Sequence, residues 1–143
     1  MSIINYRKIT NHIHTSGQPK EEEFSQIKAL GVETVINLAM PDSKGALANE
    51  GQLVSENDMN YVHIPVVWED PKDEQFALFS SLMDLHAQKK GVHIHCALNW
   101  RVSSFVFMYR TKVLGHDKAE ARRAMEEIWQ PNYIWTDFMK RNG

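Results

Sequence analysis

Cysteine is nearly missing from the 143-residue sequence, which contains only Cys96, and long hydrophobic runs are missing as well. A single thiol cannot form an intramolecular disulfide or supply a zinc site built from several cysteines. A membrane-spanning helix needs roughly 20 consecutive apolar residues, and no segment approaches this, so no membrane partner is expected. These absences predict a protein of the reducing cytoplasm, where a lone thiol stays reduced.

An excess of charge of one sign is also missing, because 16 Lys and Arg residues stand against 18 Asp and Glu residues, for a formal net charge of -2. This balance argues against a polyanionic partner, so nucleic-acid binding is not expected. Glycine and proline are scarce, with 7 and 5 residues, whereas 43% of the residues are hydrophobic. The composition is that of a folded protein, and the length predicts that residues 1–143 form a single domain.

Hydrophobic periodicity alternates along the chain between strand-like and helix-like patterns, which is typical of helices that connect parallel strands. Strands are predicted near 9–14, 32–39, 61–66 and 92–96. Helices are predicted from Pro19 to Gly31, over 46–57, from Pro71 to about Gly91, from the loop at 97–100 to Gly115, and from Asp117 to Pro131. An aromatic tail with Tyr133, Trp135 and Phe138 is expected to pack on the body. The strand at 32–39 is apolar enough to be covered on both faces, so the pattern predicts an α/β fold.

Cys96 lies where a predicted buried strand passes through a short loop into a helix. At such a place the unpaired amides and the dipole of the helix favour an anion, which stabilises a thiolate. Arg101 follows closely enough to clamp two oxygens of a bound oxyanion with its planar guanidinium, and Ser103 is placed to hydrogen-bond the thiolate. Cys96 is therefore a candidate nucleophile; the alternative is a buried structural thiol, with Arg101 solvated.

The segment 95–103 reads His-Cys-Ala-Leu-Asn-Trp-Arg-Val-Ser and resembles the signature loop of cysteine-dependent protein tyrosine and dual-specificity phosphatases. Segments 16–19, 35–38 and 61–66 are similar to a bacterial dual-specificity-phosphatase-like family, so the resemblance covers most of the chain. It implies a single-domain, three-layer α/β fold whose central, mostly parallel sheet has four or five strands flanked by helices. It also implies hydrolysis of a phosphate monoester through a cysteinyl-phosphate intermediate, without a metal or other cofactor.

The resemblance also assigns roles within the loop. Cys96 is the implied nucleophile, and Arg101 holds the oxygens of the transferred group. The implied substrate is a phosphorylated protein or a small phosphomonoester. Residues expected to contact it are His95, Ala97, Leu98, Asn99, Trp100 and Ser103.

The loop departs from the phosphatase pattern, because four residues rather than five separate Cys96 from Arg101 and the usual central glycine is absent. Asn99 is expected to replace that glycine, since Asn tolerates left-handed backbone better than other non-Gly residues. The four-residue spacing is similar to the active loop of rhodanese-type sulfurtransferases, whose cysteine carries a persulfide. Sulfur transfer is therefore an alternative function, and a phosphate-binding module without turnover is a third.

A proton donor for the leaving group is expected in the turn after the strand at 61–66. In parallel sheets functional groups gather beyond the carboxyl ends of the strands, so this turn should face Cys96. It contains Glu69 and Asp70, and by resemblance it occupies the place of the phosphatases' mobile acid loop. Asp70 is preferred over Glu69, and Asp42 is a third choice. The alternative role for Asp70 is to cap the next helix.

Histidines occur in alternating pairs, since His93 and His95 share one strand face, as do His12 and His14. No carboxylate lies at a recognisable ligand spacing, so a metal site is not predicted. His95 is expected instead to orient the loop and to tune the thiolate. Gln18 is expected either to line the pocket, by resemblance, or to cap the helix that begins at Pro19.

Overall fold

The computed structural model describes residues 2–86 and 90–142 and shows an α/β fold. The strands of this part of the chain are β1 (Arg7–Lys8), β2 (Ile13–Ser16), β3 (Val32–Asn37), β4 (Asn60–His63) and β5 (Gly91–His95). Its α-helices are α1 (Phe24–Ala29), α2 (Glu50–Glu56), α3 (Asp73–His86), α4 (Trp100–Lys112), α5 (Lys118–Glu126) and α6 (Tyr133–Asn142). None of these helices is long and apolar enough to cross a lipid bilayer.

The sheet has the strand order β1-β2-β5-β3-β4. All neighbours are parallel except the edge strand β1, which runs antiparallel to β2. The predicted mostly parallel sheet of four or five strands is thus confirmed, and it has five strands. The register pairs His95 at the end of β5 with Ser16 of β2 and Asn37 of β3. The carboxyl ends of these three strands therefore lie side by side, and the chain leaves β5 from the middle of that edge.

Two apolar cores cover the two faces of the sheet, which makes three layers. Successive strand residues point to opposite faces, so Val35 belongs to the core under α1 and α2, whereas Ile36 belongs to the core under α3 to α6. The smaller core contains Phe24 and Ile27 of α1. The larger core includes the fully buried side chains of Phe79, Phe105, Trp135 and Phe138. Burial of each such side chain stabilises the fold by about 1.5–3 kcal/mol.

Several predicted boundaries are wrong at the ends of elements. The strand near 9–14 is a short hairpin, because the chain turns between β1 and β2. The helix expected after Pro19 begins as a 3₁₀ turn at Glu21–Glu23, and α2 is shorter than predicted. Strand β4 ends at His63, and Pro65, which has no amide hydrogen, follows soon after. The helix predicted to end at about Gly91 is described to His86, and Gly91 instead begins β5; residue 89 of the predicted end lies outside the described residues.

The structure confirms two residues that the sequence places at helix ends, Asp117 before α5 and Gly115 after α4. The Asp117 carboxylate accepts a hydrogen bond from the amide of Glu120 at 3.0 Å and caps α5, the helix that the sequence predicts to begin at this residue. Gly115 has a φ of +69°, a conformation that glycine adopts without strain. The aromatic tail forms α6 and packs on the body, except that the ring of Tyr133 is 83% exposed.

The face of the sheet that α1 and α2 cover carries buried polar side chains. His93 Nε2 lies 2.7 Å from Ser16 Oγ, and that hydroxyl donates to the carbonyl of Gly17. His93 Nε2 is therefore the donor in this pair, which leaves its Nδ1 without a proton. Burial lowers the pKa of His93 well below its usual value, and the charges of His95 and His14 lower it further. Burial also lowers the pKa of His14.

Because His93 is neutral in the folded protein, acid should unfold the protein. Above about pH 6.5 the ring is neutral in both states, and below it only the unfolded chain binds the proton. The free energy of unfolding should therefore fall by up to about 1.4 kcal/mol per pH unit as the pH drops from about 6.5 to about 5. His93→Gln keeps a donor for Ser16 without titrating. In denaturant titrations it should show a shallower pH dependence; an unchanged slope would contradict this assignment.

Candidate active site

Cys96 follows β5 directly, and three residues separate it from Trp100, where α4 begins. The structure thus shows the strand, short loop and helix that the sequence predicts around the thiol. Cys96 is only 1% exposed and belongs to the larger core, the one under α3 to α6. The loop leads into the start of α4, where unpaired amides and the positive end of the helix dipole favour an anion.

Asn99 adopts the left-handed backbone predicted for it, with φ 72° and ψ 8° at the start of α4. Its side chain also holds the loop in place. Asn99 Nδ2 donates to the carbonyl of Asn5 at 2.9 Å and to Thr15 Oγ1 at 3.1 Å. Glycine would permit the same backbone but could make neither bond, so Asn99 both turns the chain and ties it to the N-terminal segment.

The carbonyls of the loop point away from its centre. The Ala97 carbonyl accepts from the amide of Gln18 at 3.0 Å, and the Leu98 carbonyl accepts from Asn5 Nδ2 at 2.9 Å. Gly17 permits this approach, because a Cβ added there would lie 2.5 Å from the Ala97 oxygen. Within the described part of the chain, the amides of residues 97–102 donate to no backbone carbonyl. They form a concave donor surface of the kind that holds anions.

Arg101 is folded into the protein and is only 8% exposed. Its Nη1 donates to the carbonyl of Val66 at 3.0 Å, and its guanidinium carbon lies 5.9 Å from the ring centroid of Trp68. The buried Nε has no partner among the described residues, and no carboxylate there pairs with the charge. Burying a cation with an unpaired N–H donor destabilises the fold unless an anion binds to it. This geometry therefore fits an oxyanion ligand.

A cluster of indole rings joins the turn after β4 to the loop. All four tryptophans of the sequence take part: Trp68, Trp100, Trp129 and Trp135. Trp100 and Trp129 stack 5.3 Å apart and nearly parallel, and Trp135 Nε1 donates to the carbonyl of Trp68 at 2.9 Å. Aromatic pairs contribute about 0.5–1.5 kcal/mol beyond burial. Sequence reasoning missed the cluster because its members lie in four separate segments.

The two predicted acids lie on the turn that this cluster holds, but neither contacts the loop among the described contacts. Asp70 is exposed and pairs with Lys72 Nζ at 2.6 Å, and it does not cap α3, which begins at Asp73. Glu69 is also exposed, and Asp42 is exposed in the loop after β3. The turn is nevertheless tied to the loop, because Arg101 donates to the Val66 carbonyl.

The predicted bond from Ser103 to the thiol is wrong. Ser103 Oγ donates to the carbonyl of Trp100 at 2.8 Å, within the first turn of α4. A serine near a helix start often bonds to a carbonyl three residues earlier, so the local backbone outcompetes the thiol for its single proton.

Glu50 is a site residue that sequence reasoning missed. His95 Nε2 lies 2.5 Å from Glu50 Oε2, and both side chains are buried. Gln18 Nε2 donates to Glu50 Oε1 at 2.9 Å and to the carbonyl of Pro19 at 3.1 Å. Acidic residues are common in the first turn of any helix, so nothing in the sequence distinguishes Glu50 from them.

A groove of about 660 Å³ runs beside the loop and is bordered by Ala97 and Leu98. Gln18 lines it, and so do charged residues of both signs: Lys20, Glu21, Glu22, Glu23 and Lys44. Its apolar wall consists of Ile4, Pro19, Leu47 and Leu98.

Comparisons with known proteins agree with this fold. A family model described as a DSP-PTPase phosphatase fused to NAD+ kinase matches residues 5–136. A search of curated protein sequences gives no match. A candidate phosphatase (DUF442) from Shewanella putrefaciens CN-32 has a similar structure with a TM-score of 0.88 and 33% identity, over 99% of this chain and 90% of that chain.

More distant structures share the fold. TpbA from P. aeruginosa, in complex with pTyr, aligns with a TM-score of 0.71 and 19% identity over 97% of this chain and 80% of that chain. The core catalytic domain of the PP-IP phosphatase SIW14 from S. cerevisiae aligns with a TM-score of 0.77 and 12% identity, over 98% of this chain and 86% of that chain.

The left-handed turn at Asn99 predicts a difference between two substitutions. Asn99→Gly and Asn99→Ala both lose the bonds to Asn5 and Thr15, at a cost of about 1 kcal/mol for each bond. Only the alanine variant must also place a Cβ in left-handed backbone, at roughly 1–2 kcal/mol. In denaturant titrations Asn99→Ala should therefore be less stable than Asn99→Gly by about 1 kcal/mol. Equal stability of the two variants would refute this reading of the turn.

Proposed function

Because the chain belongs to the family of DSP-PTPase phosphatases that this model represents, we propose that it hydrolyses phosphate monoesters through a cysteinyl-phosphate intermediate. The observation that carries the proposal is the buried Arg101, whose Nε has no hydrogen-bond partner among the described residues. The amides of its loop also have no backbone acceptor there. A tetrahedral oxyanion satisfies both the amides and the guanidinium, whereas a persulfide sulfur offers far less charge to either.

In the first step the Cys96 thiolate attacks phosphorus. A sulfur–phosphorus bond forms as the bond from phosphorus to the leaving oxygen breaks. The loop amides and Arg101 bind the three equatorial oxygens, over which the transition-state charge is spread. Because Arg101 is already fixed by its bond to Val66, the side chain needs little reordering when the ligand binds.

The leaving oxygen takes its proton from an acid on the turn after β4, for which Asp70 is the first choice and Glu69 the second. In the second step the same carboxylate accepts a proton from water as the water attacks phosphorus. The sulfur–phosphorus bond breaks, inorganic phosphate leaves, and the thiolate is restored. This cycle consumes one water molecule for each ester and uses no cofactor.

The proposed substrate is a phosphorylated protein or a small phosphomonoester. The complex of TpbA with pTyr supports this class, since that fold accommodates a phosphorylated side chain. The mechanism needs a reduced thiol, so we place the protein in a reducing compartment such as the cytoplasm.

The direct test is hydrolysis of an aryl phosphate by the purified protein and by Cys96→Ser. Loss of the thiolate should lower kcat by about 10³-fold or more, while phosphate or vanadate still binds, because Arg101 and the loop amides are intact. Thiocyanate formation from thiosulfate and cyanide should be absent. Phosphate release that survives the substitution would overturn the proposal. Vanadate binding without hydrolysis by the unsubstituted protein would identify a binding module instead.

The residue that donates the proton can be identified because the loss of activity on its substitution depends on the leaving group. Asp70→Asn should lower kcat by about 10²-fold with a phosphoserine peptide, whose alkoxide leaves poorly without a proton. The loss should be much smaller with p-nitrophenyl phosphate, whose phenolate leaves readily. Asp58→Asn, at an exposed aspartate in the turn before β4, is the matched control and should behave like the unsubstituted protein. If Glu69→Gln rather than Asp70→Asn gives this leaving-group pattern, the assignment to Asp70 is wrong.

A further inference from the structure

The His95 ring bridges the catalytic loop and a buried carboxylate. Its Nδ1 lies 3.3 Å from the carbonyl oxygen of Cys96, and its Nε2 lies 2.5 Å from Glu50 Oε2. The ring itself is fully buried, and the Glu50 side chain is nearly so. Glu50 therefore reaches the residue that carries the thiol through one intervening side chain.

Both atoms that face the ring accept hydrogen bonds. A carbonyl oxygen can only accept, and so can an ionised carboxylate. With Glu50 ionised, His95 must then carry a proton on each nitrogen. A buried imidazolium on the residue before Cys96 favours a negative charge on the sulfur, because opposite charges stabilise each other in a medium of low dielectric constant.

Gln18 completes the arrangement around Glu50. Its Nε2 donates to Glu50 Oε1, while Glu50 Oε2 faces His95. Both carboxylate oxygens thus have a donor, which is the condition under which a buried ionised carboxylate is tolerated. Gln18 also donates its backbone amide to the Ala97 carbonyl, so the same residue fixes the carboxylate and the loop.

We propose that Glu50 is a positioning residue that holds His95 doubly protonated beside Cys96 and thereby promotes formation of the thiolate at lower pH. This inference rests on the proposed function, because it takes Cys96 to be the nucleophile. It goes beyond that function by assigning a role to a residue on α2, on the far side of His95 from the thiol.

Other ionisable groups also surround this pair. His93 lies on the same strand, and its lowered pKa has burial as the main cause and the charge of His95 as the next. His14 of β2 pairs in register with His93. Tyr61 of β4 has a pKa raised mainly by burial and partly by the charge of Glu50. The neighbouring residues of β2 and β3, Ser16 and Asn37, do not ionise.

The test measures the thiolate directly and needs no substrate. Since Cys96 is the only cysteine, the ultraviolet thiolate absorbance of the protein, minus that of Cys96→Ser, reports a single site. This difference is titrated from about pH 5 to about pH 9. In Glu50→Gln the midpoint of thiolate formation should rise by about one pH unit. The matched control is Glu56→Gln, an exposed carboxylate on the same helix, which should leave the midpoint unchanged.

A double substitution shows whether Glu50 acts through the histidine. In a His95→Asn background, Glu50→Gln should not raise the midpoint of thiolate formation further, because the imidazolium that transmits the effect is gone. A Glu50→Gln midpoint equal to that of the unsubstituted protein would overturn the proposal. The proposal would also be overturned if Glu50→Gln raised this midpoint by the same amount in the His95→Asn background as in the unsubstituted protein.

A measurement on the unsubstituted protein decides the question if Glu50→Gln does not fold. Nitrogen NMR of labelled protein, with the His95 signals assigned by their absence in His95→Asn, should show both ring nitrogens protonated near neutral pH. One bare nitrogen would refute the proposal. Thiolate and NMR results as expected, combined with no hydrolysis of phosphate esters, would instead leave this inference intact and overturn the proposed function alone.

Discussion

The hydrogen bonds that turn the carbonyls of the loop outward are the constraint on which the site depends. Amides and carbonyls alternate along a backbone, so a loop can direct its amides to one centre only if its carbonyls find donors elsewhere. Here the donors come from the N-terminal segment and the end of β2, through Asn5 and Gln18. Gly17 permits the contact, and Asn99 supplies the left-handed turn. The short hairpin at the sheet edge thus helps to shape the loop that we propose binds the phosphate.

Arg101 connects this loop to the turn that carries the proposed acid. One nitrogen of its guanidinium bonds to the Val66 carbonyl, while Nε has no partner among the described residues. The indole cluster holds the same turn against α4 and α6, through Trp68 and Trp135. A ligand bound to Arg101 would therefore contact a side chain that is already attached to the acid turn. In the proposed mechanism, rigid packing would therefore link ligand binding to proton donation.

The buried polar layer beside α1 and α2 is expensive in free energy, because every polar group there must be satisfied within the protein. A purely apolar layer would give a more stable sheet, as in the core on the opposite face. The layer is instead concentrated at the carboxyl ends of β2 and β5, where His93 bonds to Ser16 and His95 contacts Glu50. Its polar groups surround His95, the residue that precedes the proposed nucleophile.

The sequence determined the features that depend on neighbours along the chain. Alternating periodicity predicted the parallel sheet, and the strand, loop and helix around Cys96 followed from local patterns. The left-handed turn at Asn99 followed from the backbone preference of that residue type. Tertiary structure alone decided what reaches the loop from elsewhere. Glu50 meets His95 across 45 positions, and the indoles meet from four segments. Such contacts depend on how the layers pack, which local propensity does not encode.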